Sequence, residues 1–159
     1  MKKRILIVDD EPDIRFMLRA LLTCKGYEIE EAEDGEAALK MIEAKGFDLV
    51  VLDVLMPKMD GYEVIRRIPP HVLKKTPVVL LTAQGESPDA MKGYSVGASY
   101  YITKPCKNQR ILDAVGYLIG DLSVEQKEAV ERRLQSAQAD DWAAGRGDSS
   151  EELAHGEDR

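Results

Sequence analysis

The 159-residue chain is poor in several residue types that would fix its class at once. It has two cysteines, Cys24 and Cys106, far apart and not near a histidine, so neither a disulfide framework nor a zinc site is indicated. Its two histidines, His71 and His155, stand in no recognisable phosphodonor setting. No apolar run approaches the roughly 18 residues that would suggest a membrane span. The basic start, Met1-Lys2-Lys3-Arg4, leads into four apolar residues and then two aspartates, too short and too acidic for a signal peptide. Together these features point to a reducing cytoplasm. A surplus of positive charge is also missing: the net charge is -7, and no basic patch of a nucleic-acid binder is present.

The negative charge is concentrated at one end. Residues 1–120 hold 17 basic and 18 acidic side chains, whereas residues 139–159 hold 2 basic and 7 acidic ones. The expectation is therefore a domain over 1–120, a helical extension over 121–138 and an acidic disordered tail over 139–159. Ser123-Val124-Glu125-Gln126 reads as a capping box that opens the extension. Its thin apolar stripe (Val124, Val130, Leu134, Ala137) favours a solvated extension over a docking or dimerisation segment, dispensable for chemistry in the domain. The 39 residues are too few for a further output domain, since stable domains rarely fall below ~50 residues. The chain then either acts alone on a protein partner or is a fragment of a longer regulator.

Residues 1–120 alternate between two periodicities. Apolar runs at Ile5–Val8, Leu49–Leu52, Val78–Leu81 and Tyr100–Ile102 read as strands, and Tyr27–Glu31 reads as a short second strand. Between and after them lie helical patterns: Ile14 to Leu22, Asp34-capped to about Ala44, Gly61 to Ile68, Ser87 to Ser95, and Ile111 to Ile119. Five strands alternating with five helices imply an α/β fold, a doubly wound five-stranded parallel sheet of flavodoxin-like order 2-1-3-4-5.

Reactive residue types follow four of the five strands: Asp9 and Asp10 after the first, Asp53 after the third, Thr82 after the fourth, Lys104 after the fifth. The second strand, at the sheet's edge, offers none. Carboxylates gathered at one sheet edge repel unless a cation holds them, and a hard divalent ion such as Mg²⁺ suits all-oxygen ligands beside phosphate. Asp53, flanked by Mg²⁺ and the Lys104 ammonium, could then attack phosphorus and form an acyl phosphate. Each residue also has a plainer reading. Asp9 and Asp10 could cap a helix that starts at Pro12, Asp53 could be a turn residue, Lys104 a solvated lysine, and Tyr101 plain core. Four strand ends converging by chance is the weaker explanation.

In "ILIVDDEP" (5–12), "DVLMPKMDGYEV" (53–64), "VVLLTA" (78–83) and "GASYYITKP" (97–105) the chain resembles the receiver domain of two-component response regulators. The resemblance implies that Asp53 accepts the phosphoryl group and that Asp9, Asp10, Asp53 and the Leu55 carbonyl hold Mg²⁺. It further implies that Thr82 and Lys104 contact the phosphoryl group, that Thr82 and Tyr101 form the switch, and that Lys104-Pro105 is cis. The implied partners are a sensor histidine kinase or histidine phosphotransfer protein, and a protein target at the face from Ser87 to Leu118. A phosphorylation-dependent dimer is also implied, but neither nucleic-acid binding nor membrane insertion. On this reading the protein is a signalling protein that catalyses only its own Mg²⁺-dependent phosphorylation and dephosphorylation.

The chain departs from the family at Cys106, where phenylalanine is usual. Leu55 and Gln84 occupy the positions that tune acyl-phosphate lifetime. "GASYY" lacks the paired acids of many DNA-binding members, which weakens the charged dimer interface. A haloacid-dehalogenase-type phosphohydrolase would need an aspartate at Leu55. A flavodoxin-like cofactor binder would need a phosphate-cradling loop where Asp9-Asp10-Glu11-Pro12 stands. A degenerate receiver, acting as a constitutive binding module, would have lost Asp53, Thr82 or Lys104.

Overall fold

A computed structural model describes residues 2–83 and 97–155. The strands are β1 (Arg4–Val8), β2 (Glu28–Ala32), β3 (Leu49–Asp53), β4 (Val78–Ala83) and β5 (Tyr100–Lys104). The helices are α1 (Pro12–Thr23), α2 (Gly35–Ala44), α3 (Gly61–Arg67), the single turn α4 (Pro70–Leu73), α5 (Asn108–Ile119) and α6 (Val124–His155). All ladders are parallel, and the sheet order is β2-β1-β3-β4-β5, the order expected from the sequence. The expected helix from Ser87 to Ser95 lies outside the described residues, as do Gln84, Gly85 and Gly93.

The two-residue period of the strands divides the core between the sheet's faces. Leu6, Val8, Val50, Leu52, Val78 and Leu80 pack with Ala38 and Ile42 of α2 and Val64 and Ile65 of α3. Ile5, Ile7, Leu49, Val51, Val79, Leu81 and Ile102 point the other way, against Leu18 and Leu22 of α1 and Ile111 and Val115 of α5. With apolar residues required on both sides, the strands read as continuous rather than alternating runs. The helix boundaries follow from local chemistry. Asp34 accepts a hydrogen bond from the Ala37 amide at 2.8 Å, Asp60 accepts one from Glu63 at 2.8 Å, and Gly26 turns the chain after α1 at φ +89°.

Beyond α3, Pro70 starts one further helical turn with its fixed φ. The larger difference concerns the C-terminal extension. Its predicted capping box is present: Ser123 and Gln126 exchange hydrogen bonds of 2.9 and 3.2 Å. The helix does not end near Gln138, however, but runs to His155, so the expected tail over 139–159 is helical as far as that residue. Ala137, Ala139, Ala143 and Ala144 are strong helix formers, and the helix carries over this stretch.

Nor is the extension merely solvated. Val130 and Leu134 are buried in the same cluster as Tyr100, Ile111 and Val115. Asp113 of α5 accepts two hydrogen bonds from the Arg133 guanidinium, at 2.9 and 3.0 Å. Among the described residues, the buried apolar contacts of the helix are those of Val130 and Leu134, which is why the stripe is thin. Leu134→Ala is expected to cost about 2 kcal/mol, the low end for a buried leucine. The thermal unfolding midpoint should fall by several degrees; an unchanged midpoint would mean that the helix adds nothing to the core.

Candidate functional site

β1 and β3 are neighbours, yet their following helices lie on opposite faces, so a crevice opens beyond their carboxyl ends. Asp53 is the last residue of β3 and Lys104 the last of β5, while Asp9 immediately follows β1. The carboxylates of Asp9, Asp10 and Asp53 converge there, with one oxygen from each within 4.8 Å of the others. Asp9 is 1% exposed and Asp53 5%, whereas Asp10 faces solvent. The Lys104 ammonium donates to Asp9 Oδ2 at 3.2 Å and to Asp53 Oδ1 at 3.3 Å, bridging the two buried acids.

One cation against three carboxylates leaves the cluster short of positive charge. Burial and the neighbouring Asp9 charge push the Asp53 carboxyl up to about 6, against the opposing pull of Lys104, with Asp10 adding to the rise. Burial disfavours the charged Lys104, but the charges of Asp53 and Asp9 outweigh it and hold its ammonium above the usual lysine range. An all-oxygen, partly open, electron-rich set of this kind fits a hard divalent cation such as Mg²⁺.

The backbone at the site is held by contacts the sequence did not advertise. The Asp9 carboxylate accepts from the Glu11 amide at 2.9 Å, a turn ahead of α1 and not the helix cap of the plainer reading, since Glu11 is the N-cap and no side chain caps the helix. Arg15 of α1 donates to the Asp9 carbonyl at 2.6 Å and pairs with Glu31 at 3.5 Å. Gly61, at the start of α3, lies so close to β3 that a Cβ there would meet the Asp53 carbonyl oxygen at 2.6 Å. Its amide donates to the Val54 carbonyl at 2.9 Å, anchoring α3 to the end of β3. The Asp60-Gly61 pair was the available signal, a capping residue followed by a residue with no side chain.

The remaining expected site residues occupy distinct positions. Thr82, near the end of β4, is fully buried, and its hydroxyl donates to the Ala83 carbonyl at 3.3 Å. Leu55 follows Asp53 by two residues and is 53% exposed. Tyr101 is buried in β5 opposite Leu80, and its hydroxyl finds no hydrogen-bond partner among the described residues. An orphaned buried hydroxyl costs about 1–3 kcal/mol, so this ring position has to be supported from elsewhere. Lys104-Pro105 is cis, as the resemblance implied. Cys106 is partly buried, and burial pushes its thiol up, away from the reactive thiolate.

A doubly wound α/β protein with carboxylates and a lysine converging beyond its strand ends is the class that fold and site define. The chain matches the response regulator receiver domain over residues 5–116 and belongs to that family. It is 42% identical over 117 residues to the transcriptional regulatory protein ResD of Bacillus subtilis, a match that covers 73% of this chain and 48% of ResD. The probable transcriptional regulator ycf27 of Cyanophora paradoxa is 44% identical over 104 residues, which is 65% of this chain and 43% of that protein. The chain thus spans about half the length of these curated relatives. Among solved structures, chemotaxis protein CheY4 of Vibrio cholerae superposes with a TM-score of 0.68 at 33% identity, over 74% of this chain and 99% of CheY4. Response regulator TrrA of Thermotoga maritima, solved with Mg²⁺ and BeF, gives 0.66 at 40% identity, over 73% and 98%. No described helix is long and apolar enough to cross a membrane.

The shifted Asp53 has a consequence for stability. Its folded value is above the unfolded one of about 4, so its contribution is fully present below pH 4 and is lost as pH rises through 6. In EDTA at pH 7.5, Asp53→Asn should therefore unfold at higher denaturant than the wild type. The gap should close as pH falls towards 4; a gap independent of pH would contradict the assigned repulsion.

Proposed function

We propose that the protein accepts a phosphoryl group on Asp53 from a partner phosphohistidine and thereby switches a protein-binding surface. The observation that carries this reading is the Lys104 ammonium shared between Asp9 and Asp53, at 3.2 and 3.3 Å, within a three-carboxylate cluster. Asp9 and Asp10, with Asp53 and the Leu55 carbonyl, are the groups that would hold Mg²⁺. The bound ion would supply positive charge against the oxygens of the transferring group.

The chain's own residues account for the rest. An Asp53 oxygen attacks phosphorus, the P–N bond to the donor imidazole breaks, and the released imidazole leaves with its electron pair. Asp53 must be ionised to attack, and a carboxyl that titrates near 6 is mostly so at neutral pH. Lys104 is already aimed at Asp53 and would follow the charge onto the phosphoryl oxygens. The Thr82 hydroxyl would turn from the Ala83 carbonyl to donate to the same group. Gly61 keeps the Asp53 backbone where the attacking oxygen needs it.

The kinase or phosphotransfer donor, the cytoplasmic setting and the protein target are parts of the same proposal, supported by family membership and the strand-end site. The transcriptional relatives are about one and a half times this length, and the chain matches about half of each. The reading of a constitutive binding module is disfavoured by the site itself, since every charged group needed for phosphoryl transfer is present and gathered. With Mg²⁺ and acetyl phosphate, intact-mass spectra should show one added phosphoryl group, stable in acid and labile in base. Asp53→Asn and EDTA should both abolish it; equal labelling of Asp53→Asn would refute the assignment.

A further inference from the structure

β5 is the last strand of the sheet and has only β4 as a ladder neighbour, so it is less restrained than the central strands. Its outer side is fastened by α6. The Tyr100 hydroxyl donates to the Leu134 carbonyl at 3.0 Å, and the Leu134 side chain is itself buried. Arg110 of α5 ties the two elements together. One of its nitrogens donates to Asp141 of α6 at 2.6 Å, and the other reaches the Tyr100 hydroxyl at 3.4 Å and the Tyr101 carbonyl at 3.5 Å. Its guanidinium also lies over the Tyr100 ring, 5.6 Å from the centroid.

These contacts bear on Tyr101, whose hydroxyl has no hydrogen-bond partner among the described residues. The ring is nonetheless turned inward. Beside the packing of the ring, the Arg110 contact to the Tyr101 carbonyl, completed by Asp141, restrains this residue from α6 through its backbone.

We propose that α6 is a brace for β5: docked through Leu134 and the Arg110–Asp141 pair, it holds the strand that carries both Tyr101, turned inward, and Lys104, aimed at the Asp53 carboxylate, and so favours phosphoryl uptake there. The proposal rests on Asp53 being the acceptor, and it adds Arg110 and Asp141 as positioning residues remote from the reacting atoms. Coupling of two equilibria is reciprocal, so filling the Asp53 site must tighten α6 by the factor by which docked α6 tightens the site.

The test uses the full chain with Mg²⁺ and beryllofluoride as probe, in wild type, Asp141→Asn and Leu134→Ala. Both variants should lose hydrogen-exchange protection over residues 127–138 while the amides of β1 and β3 keep theirs. Both should also expose the Tyr101 ring to a soluble paramagnetic probe and bind Mg²⁺-beryllofluoride at least about fivefold more weakly, with Asp141→Glu restoring both properties. In wild type, beryllofluoride should raise α6 protection by the same factor. A loosened α6 with Tyr101 and probe affinity unchanged would overturn the proposal, as would an unprotected α6 in wild type. If the wild type binds no beryllofluoride, the acceptor reading fails. Tyr101 exposure in Asp141→Asn then still decides whether α6 braces the strand.

Discussion

Repulsion among carboxylates at the ends of β1 and β3 is the constraint around which the rest of the molecule is arranged. Asp9 and Asp53 are almost completely buried, and a buried charge is tolerated only when it is paired. Lys104 provides one ammonium for both, and it can do so only because β5 runs parallel to β4 and ends at the same edge of the sheet. The sheet order then gains a chemical purpose. β1 and β3 must be neighbours to bring the acids together, β5 must lie on the β3 side to deliver the lysine, and β2 is left on the far side with no part in the site. The pairing is incomplete in charge, which is why Asp53 is driven up to about 6 and why a divalent cation suits the cluster.

Much of this was legible in the chain because it is encoded locally. A continuous apolar run marks a doubly covered strand, and the residue that follows the run lies by construction at the sheet's carboxyl edge. Asp9, Asp10, Asp53, Thr82 and Lys104 could be assigned to one edge without knowing a single distance. What could not be read depended on how closely neighbouring segments pack, which leaves no periodic trace even over a few residues. Arg15 reaches the Asp9 carbonyl, and Gly61 makes room for the end of β3; neither residue type is unusual where it stands.

The C-terminal helix shows the limit most clearly. Its apolar stripe is short, and from the sequence a short stripe suggests solvent on all sides. Packing requires only that Val130 and Leu134 find a complementary surface, and Tyr100 with α5 supplies it. The polar contacts that finish the interface, Arg133 to Asp113 and Arg110 to Asp141, join residues 20 and 31 positions apart and leave no periodic trace. Family membership could not supply them either, since the family match ends at residue 116, before α6 begins.

The most direct test of the central claim, that unbalanced negative charge at the strand ends is what a divalent cation relieves, is the proton count on Mg²⁺ binding. Calorimetric titration at pH 6 in buffers of differing ionisation enthalpy measures it. With Asp53 titrating near 6, binding should release about half a proton, and the release should vanish in Asp53→Asn and above pH 8. Binding without proton release at pH 6 would mean that Asp53 is already ionised there, and that the cluster is not under the electrostatic tension described.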